Sequence, residues 1–258
     1  MGGIWPAVAV GFVSGVLSGA FGVGGGLVTT PAVRLLLLRP ALVAVGTPLP
    51  VIIPGALVGA LTHARHGNAD VRLGLALGMW GVGGSLVGAW CSSLVGGRAV
   101  MLVTAVFVAW VALDIARGDS RARVVEGVPQ GETPPGHLGI AALGMLAGLY
   151  SGFLGLGGGF VIVPGLTRWF GVPMKRAVGT SLVTVAVLAV PGTIAHQLLG
   201  HIDGRLALQL AAGVVPGALL GARLTLAARE RSVRSGFGVM MFATALWLAF
   251  GELSAGAR

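Results

Sequence analysis

Two glycine-rich runs carry the clearest chemical pattern in this sequence: residues 22–26 (GVGGG) and residues 155–159 (GLGGG). Four glycines in five positions cost a helix interior about 1 kcal/mol each relative to alanine, so each run should interrupt a helix. An interruption frees consecutive backbone N–H groups, and these groups form an anion-binding concavity where they converge at the start of the next helical piece. The pattern therefore predicts a site for a small oxyanion.

A serine precedes each run by four residues and supplies a further donor. Bare glycine positions let the backbone approach such a ligand closely. The predicted substrate contacts are Ser18, Gly22, Gly24, Gly25, Gly26, Thr47, Ser151, Gly155, Gly157, Gly158, Gly159 and Thr180. The alternative is that the glycines serve only packing or a hinge, because Gly11, Gly15 and Gly19 form a stripe of the kind that lets helices touch in lipid.

Other polar residues stand near the ends of apolar segments. Thr47 and Thr180 contact either the cargo or a carbonyl of their own helix. His63 and His196 are candidates for proton coupling or a gate, since histidine titrates near neutral pH; the alternative is an interfacial contact with headgroups or a backbone carbonyl. Arg72 and Arg205 are also candidates for a gate, where they either attract an anion at the mouth or extend to the membrane interface.

Two aspartates, Asp70 and Asp203, stand just before apolar runs, where an aspartate is typical of a helix N-cap. All eight acidic residues lie outside the apolar runs, so histidine is the obvious proton carrier within the membrane.

Catalytic and nucleotide motifs are missing from the sequence. No Lys-Ser or Lys-Thr follows the glycines, and neither glycine run contains G-x-G-x-x-G. The H-E-x-x-H and G-x-S-x-G patterns are also absent, and Cys91 is the only cysteine. We therefore expect no enzyme activity, no cofactor, no metal site and no nucleic-acid partner.

The elements that position these residues are membrane segments. Of 258 residues, 55% are hydrophobic and 10% charged, against about 25% charged in soluble domains. Eight runs lack both charge and histidine: residues 1–33, 40–62, 73–97, 99–113, 138–167, 177–195, 206–222 and 235–251. Most match the roughly 17 to 25 residues of a membrane helix, whereas the first and fifth are longer and contain the glycine runs.

The chain contains an internal repeat. A shift of 133 residues aligns Gly11–Pro31 with Gly144–Pro164 at ten of 21 positions. Between the repeats, residues 117–136 (RGDSRARVVEGVPQGETPPG) read as a solvated linker. The predicted organisation is a first membrane repeat at 1–115, a hydrophilic linker at 116–136 and a second membrane repeat at 137–258, and such duplication is typical of transporters.

The doubled pattern S-G-x-x-G-x-G-G-G-x-x-x-x-P, followed by A-V-G-T and H-x-x-x-G-x-x-D, resembles the TauE/SafE family of sulfite and organosulfonate exporters. The resemblance implies a multi-pass anion transporter of the bacterial cytoplasmic membrane. One departure from symmetry is Pro48 in the first repeat, where the second has Ser181, so the two second segments need not bend alike.

The prediction is an all-α polytopic membrane protein of about eight hydrophobic segments in two repeated four-segment halves, each with a glycine-broken or re-entrant first segment. It is expected to export a small anion, sulfite or an organosulfonate, by alternating access of the two repeats with proton coupling. Its expected partners are the anion and the lipid bilayer, with a homo-oligomer left open. An anion channel and a non-transporting membrane partner protein are the alternatives.

Overall fold

The structure is a computed structural model that describes residues 4–95, 97–116 and 136–255. Within these ranges the assigned elements are helices, so the all-α class is confirmed. Six of them are long and apolar enough to cross a membrane: Ile4–Phe21, Ala41–Arg65, Val71–Val95, His137–Leu154, Met174–Leu198 and Gly204–Ala227. Of the predicted linker at 116–136, residues 117–135 lie outside the described residues. The count of eight segments in two halves stays a prediction.

On either side of residues 117–135, the helices follow one another along the chain with short connections. Those before the linker are α1 (Ile4–Phe21), α2 (Gly26–Pro31, continued by a π-helical turn at Ala32–Leu36), α3 (Ala41–Gly46), α4 (Pro48–Arg65), α5 (Val71–Val95) and α6 (Gly97–Ala116). Those after it are α7 (His137–Leu154), α8 (Gly159–Trp169), α9 (Met174–Leu198), α10 (Gly204–Ala227) and α11 (Glu230–Ala255).

Both glycine runs interrupt helices, as predicted. α1 stops before the first run and α2 starts at its last glycine, and α7 and α8 flank the second run in the same way. Gly25 and Gly158, which directly precede α2 and α8, have φ angles of 81° and 74°. A residue with a Cβ atom enters this left-handed region at a cost of about 1–2 kcal/mol. Each overlong apolar run is therefore two helices joined by glycines.

The long helices that follow the breaks differ between the two halves of the sequence. The first is divided at Thr47 into α3 and α4, and Pro48 begins the second piece. Its counterpart α9 continues without interruption through Thr180 and Ser181. Proline has no backbone N–H to donate to the preceding turn, so the difference between Pro48 and Ser181 accounts for the division.

Glycine stripes bring two pairs of helices into backbone contact. A Cβ atom added at Gly15 of α1 would lie 2.8 Å from the Cα atom of Val214 in α10. One added at Gly84 of α5 would lie 2.9 Å from the nitrogen of Leu149 in α7. Small residues give such close packing in lipid, where van der Waals contact rather than water exclusion drives association. The packing interpretation is therefore confirmed for these stripes.

α4 and α9 cross in opposite directions. A Cβ atom at Gly59 would lie 2.8 Å from Leu182 Cδ1, and one at Gly192 would lie 3.4 Å from Leu49 Cδ1. The end of each helix thus meets the beginning of the other, which defines two faces of the bundle. We call them the His63 face, where α1 and α4 end and α5 and α9 begin, and the His201 face, where α9 ends and α3 and α10 begin.

Candidate functional site

The two glycine breaks contact each other directly. A Cβ atom added at Gly26 would lie 2.6 Å from the carbonyl oxygen of Gly155. One added at Gly159 would lie 2.7 Å from the Cα atom of Val23. Backbone therefore packs against backbone, and the space immediately between the breaks is filled by the chain itself.

The breaks lie near the middle of the two crossing helices. A Cβ atom at Gly157 would lie 3.2 Å from both Ile52 Cδ1 and Val185 Cγ1. Ile52 is close to the midpoint of the span Ala41–Arg65, and Val185 is close to that of Met174–Leu198. Each break is thus held at mid-depth of the bundle, where non-helical backbone is tolerated only if protein or a cavity satisfies it.

Hydroxyl groups satisfy one carbonyl in each break. The Ser181 hydroxyl donates to the carbonyl oxygen of Gly22 at 2.7 Å, and the Thr30 hydroxyl donates to that of Gly155 at 3.4 Å. These two donors do not occupy equivalent positions in the repeat, because the counterpart of Ser181 in the first half is Pro48, which has no hydroxyl. The first half supplies Thr30 instead, so the same need is met by different residues.

Three other hydroxyls beside the breaks have no hydrogen-bond partner among the described residues: those of Ser14, Ser18 and Ser151. All three side chains are fully buried. A Cβ atom at Gly25 would lie 3.4 Å from both Ser18 Cβ and the Ser14 carbonyl oxygen, so the two serines border the first break. A buried hydroxyl without a partner costs about 1–3 kcal/mol, so three of them beside the two breaks call for an explanation.

The Thr47 and Thr180 hydroxyls bind the opposite half of the sequence. Thr47 Oγ1 accepts the backbone N–H of Asp203 at 3.1 Å, and Thr180 Oγ1 accepts that of Asp70 at 2.9 Å. Both threonines are fully buried. Each threonine thus ties a long helix of one half to the helix that begins in the other.

The aspartates cap helices, as predicted. Asp70 Oδ1 accepts the N–H of Leu73 at 3.0 Å at the start of α5, and Asp203 Oδ1 accepts that of Leu206 at 3.0 Å at the start of α10. The second carboxylate oxygen of each aspartate pairs with an arginine. In both cases the aspartate and the arginine come from opposite halves of the sequence.

The two arginines that pair with these aspartates do not occupy equivalent positions in the sequence repeat. Arg176 lies 3.1 Å from Asp70 on the His63 face, and Arg39 lies 3.4 Å from Asp203 on the His201 face. Both arginines are about half exposed, so each pair contributes little on its own to stability. Thr180, Asp70 and Arg176 form what we call the His63-face latch, and Thr47, Asp203 and Arg39 form the His201-face latch.

The two histidines contact backbone carbonyls, which was one of the two expectations. His63 Nε2 lies 3.2 Å from the Gly19 oxygen, and His196 Nε2 lies 2.9 Å from the Gly152 oxygen. A carbonyl only accepts, so Nε2 carries the proton in both rings and Nδ1 is left as an acceptor. Both rings are fully buried, which separates them from lipid headgroups.

The histidines differ in what their second nitrogen meets. His196 Nδ1 lies 3.1 Å from the Nδ1 atom of His201, whose N–H therefore donates to it. Burial lowers the pKa of His201 below its usual value. His63 Nδ1 has no partner among the described residues, and Asn68 occupies the position equivalent to His201.

The structure places Arg72 and Arg205 on the surface, one at the start of α5 and the other at the start of α10. They therefore lie on opposite faces and away from the breaks. Within the described part of the chain, no three His, Cys, Asp or Glu residues come together as a metal site.

Several residues of the site were missed in the sequence. Ser14, Thr30 and Ser181 have no polar counterpart in the other repeat, and comparison of the repeats hides them for that reason. Arg39 and Arg176 belong to loops or helix ends that carry several basic residues. The spacing of Ser14 one helical turn before Ser18 was the signal that could have identified it.

A bundle of membrane-length apolar helices with two broken helices meeting at mid-depth is typical of a multi-pass membrane transporter. Residues 7–248 match the family model "Sulfite exporter TauE/SafE". The chain therefore belongs to this family.

Related proteins carry names that agree with this class. "Probable membrane transporter protein YunE" of Bacillus subtilis (strain 168) is 28% identical over 238 residues, which cover 84% of this chain and 85% of the relative. "Probable membrane transporter protein YdhB" of the same strain is 30% identical over 224 residues, or 84% and 89%. A "Probable membrane transporter protein" of Xylella fastidiosa (strain 9a5c) is 27% identical over 246 residues, or 93% and 90%. No solved structure matches the chain.

Proposed function

We propose that this protein exports a small sulfur oxyanion, sulfite or an organosulfonate, across the cytoplasmic membrane. The observation that carries the proposal is the pair Ser18 and Ser151. They are equivalent in the repeat, fully buried and without a hydrogen-bond partner among the described residues, and each stands one helical turn before a glycine break. A bound oxyanion would accept from these hydroxyls and remove the cost of leaving them unpaired.

The proposed site has one part at each break. In the first half, the Ser14 and Ser18 hydroxyls and the backbone at Gly22 and Gly24–Gly26 contact the anion. In the second, the Ser151 hydroxyl acts with Gly155 and Gly157–Gly159. Because backbone fills the space between the breaks, the anion binds on the serine side of a break rather than between the two. The second half has Ala147 at the position equivalent to Ser14, so the part of the site at the first break is the more polar one.

In the proposed mechanism, the two latches open in turn to give alternating access. α4 and α9 occupy equivalent places in the sequence repeat and cross antiparallel, and inverted repeats of this kind are a common transporter design. Opening toward one face requires separation of the latch on that face while the other stays closed. Both latches are formed in the structure, and the glycines of both breaks are buried. As members of the latches, Thr47 and Thr180 open and close the path of the anion. The exposed Arg72 and Arg205 attract the anion at the two mouths of this path.

The distribution of basic residues supports an orientation. Of the thirteen basic residues that the structure describes, nine lie at the His63 face: Arg65, Arg72, Arg168, Lys175, Arg176, Arg223, Arg229, Arg231 and Arg234. Four lie at the His201 face: Arg34, Arg39, Arg98 and Arg205. Basic residues are enriched on the cytoplasmic side of membrane proteins, so we place the His63 face in the cytoplasm. Cargo then enters past the His63-face latch and leaves past the His201-face latch.

Proton coupling is assigned to the two histidines. Nδ1 of His63 is an acceptor without a partner among the described residues and lies beside the His63-face latch, so it is the site at which a proton can be added. His196 already accepts from His201 at the same ring position. A proton on His196 Nδ1 turns it into a donor and opposes that bond, which links proton uptake to the contacts of the His201 face.

The test is flux of radiolabelled sulfite in vesicles containing the purified protein, with and without a proton gradient. Ser18→Ala and Ser151→Ala should each lower saturable flux at least about tenfold, the loss expected when a charge-assisted hydrogen bond is removed. Ser92→Ala is the matched control, because Ser92 is equally buried but donates to the Ala89 carbonyl of its own helix at 2.7 Å; its flux should stay at the wild-type level.

Three outcomes contradict the proposal. Wild-type flux in both serine variants would show that Ser18 and Ser151 do not bind the anion. Flux that does not saturate with sulfite identifies a channel rather than a carrier. Competition by chloride or phosphate as strong as that by sulfite or a sulfonate removes the sulfur oxyanion as cargo.

A further inference from the structure

An apolar groove opens on the side of the bundle between α4, α5 and α9. Its volume is about 740 Å³, and its fourteen lining residues are all alanine, valine, leucine, isoleucine or proline. Leu57, Leu61, Val190 and Ile194 line it and remain about half exposed. All three helices are candidate membrane spans, so the groove faces the hydrocarbon of the bilayer.

The length of the groove corresponds to one leaflet. Along α4 the lining extends from Ile53, near the centre of the span, to Ala64, one residue before its end. Eleven residues of helix rise about 16 Å. Half of a hydrocarbon core about 30 Å thick is about 15 Å. A single acyl chain from the leaflet on the His63 face therefore fits the length of the groove.

Two arginines stand at the outer end of this groove. Arg65 follows the lining residue Ala64 and lies one turn after Leu61, on the same side of α4. Arg72 follows the lining residue Val71 and lies three residues before Leu75, on the same side of α5. Both are exposed, and neither forms an ion pair with an acidic residue in the described part of the chain.

The equivalent place in the other half lacks this combination. The counterpart of Arg72 is Arg205, but that of Arg65 is Leu198 and that of Val71 is Gly204. Within the described residues, the paired arginines therefore stand at the end of this groove on the His63 face and have no equivalent pair at the corresponding place in the repeat. This face also carries the excess of basic residues, and anionic lipid is concentrated on the cytoplasmic side of membranes.

We propose that the groove between α4, α5 and α9 binds an anionic phospholipid, with one acyl chain along the groove and the phosphate between Arg65 and Arg72. The inference does not depend on the cargo. Because α4 and α9 belong to different halves, a lipid in the groove contacts both of them and stabilises the arrangement in which the His63 face is closed.

The experiment uses the full chain purified in a neutral detergent, with bound lipid counted by native mass spectrometry and the melting temperature followed during titration. Dioleoyl phosphatidylglycerol should be retained and raise the melting temperature at lower concentration than dioleoyl phosphatidylcholine. Dihexanoyl phosphatidylglycerol, which has the headgroup but short chains, should fail to do so. Arg65→Gln and Arg72→Gln should each weaken phosphatidylglycerol binding about fivefold, the share of one basic residue near an anionic surface. Arg65→Lys should keep most of the affinity.

Arg205→Gln is the matched control, because it removes the repeat equivalent of Arg72 where no second arginine is present, and it should change binding less than twofold. Equal retention of the two dioleoyl lipids, or equal loss in the Arg65, Arg72 and Arg205 variants, overturns the proposal. So does a dimer that carries no lipid, since the groove would then be covered by a second copy of the chain.

Discussion

The Thr47 hydroxyl accepts the backbone N–H of Asp203 at 3.1 Å, although the two residues lie in opposite halves of the sequence. Thr180 repeats the arrangement with Asp70 on the other face at 2.9 Å. Each aspartate also caps the helix that it begins, so the threonine fixes the position of an entire helix start. The halves are thus joined at both faces by the same small unit.

The latches should contribute measurably to stability. Thr47→Val and Thr180→Val keep the side-chain shape and remove the acceptor, which leaves a partly buried N–H unpaired at a cost of about 1–3 kcal/mol in the free energy of unfolding. Thr62→Val is the control, because Thr62 donates only within α4, to Val58 at 2.8 Å. It should cost less than either latch variant in denaturant unfolding in micelles.

Hydrogen exchange should show that each latch acts on its own face. In Thr47→Val the amides of residues 203–206 should exchange faster while those of 70–73 keep their wild-type rates, and Thr180→Val should show the reverse. Faster exchange at both faces in either variant would mean that the latches open together, and alternating access would lose its structural basis.

The unpaired serines give a prediction of the opposite sign. Because the Ser18 and Ser151 hydroxyls lack partners in the described structure, their replacement by alanine removes a buried polar group without breaking a bond, and stability should stay within about 0.5 kcal/mol of wild type or rise. Ser181→Ala instead removes the 2.7 Å bond to the Gly22 carbonyl and should cost about 1–3 kcal/mol. Equal destabilisation of all three in thermal unfolding would mean that Ser18 and Ser151 bond within the empty protein.

Local signals in the sequence predicted the elements well. Four glycines in five positions predicted that the first segment of each half is broken, and an aspartate before an apolar run predicted the caps at Asp70 and Asp203; both are confirmed. These features depend on backbone conformation and on neighbours within four residues, which the sequence displays directly.

Contacts between distant segments could not be predicted in the same way. The partners of Thr47 and Thr180 lie more than 100 residues away, and nothing near either threonine indicates that the halves cross antiparallel there. Comparison of the repeats does not reveal Ser14, Thr30 and Ser181, which border or bond to the breaks, because they occupy positions where the two halves differ. Equivalence identified Ser18 and Ser151, whereas the differences between the halves carry the rest of the hydrogen bonding around the breaks.

The glycines that precede α2 and α8 should tolerate no β-branched residue. Gly25→Val and Gly158→Val force a left-handed conformation that costs about 1–2 kcal/mol and place methyl groups beside Ser18 or the Ala147 carbonyl oxygen. Sulfite flux should be abolished while the protein still reaches the membrane fraction. Gly171→Val is the control, since Gly171 has φ 64° but nothing within 4 Å of an added Cβ atom, and flux should persist. Wild-type flux in both Gly25→Val and Gly158→Val would show that the glycine breaks are not part of the anion-binding site.

His201 should make the stability of the protein depend on pH. Burial lowers the pKa of its imidazole in the folded chain below the usual 6.5, whereas the unfolded chain keeps the usual value. As the pH falls below about 6.5, the unfolded chain binds a proton that the folded chain binds less readily, so stability present at higher pH is lost. His201→Asn places there the residue found at the equivalent position 68 and removes this group. The melting temperature of the wild type should therefore fall more steeply between about pH 7 and about pH 5 than that of the variant. Parallel curves for wild type and His201→Asn would contradict the assignment.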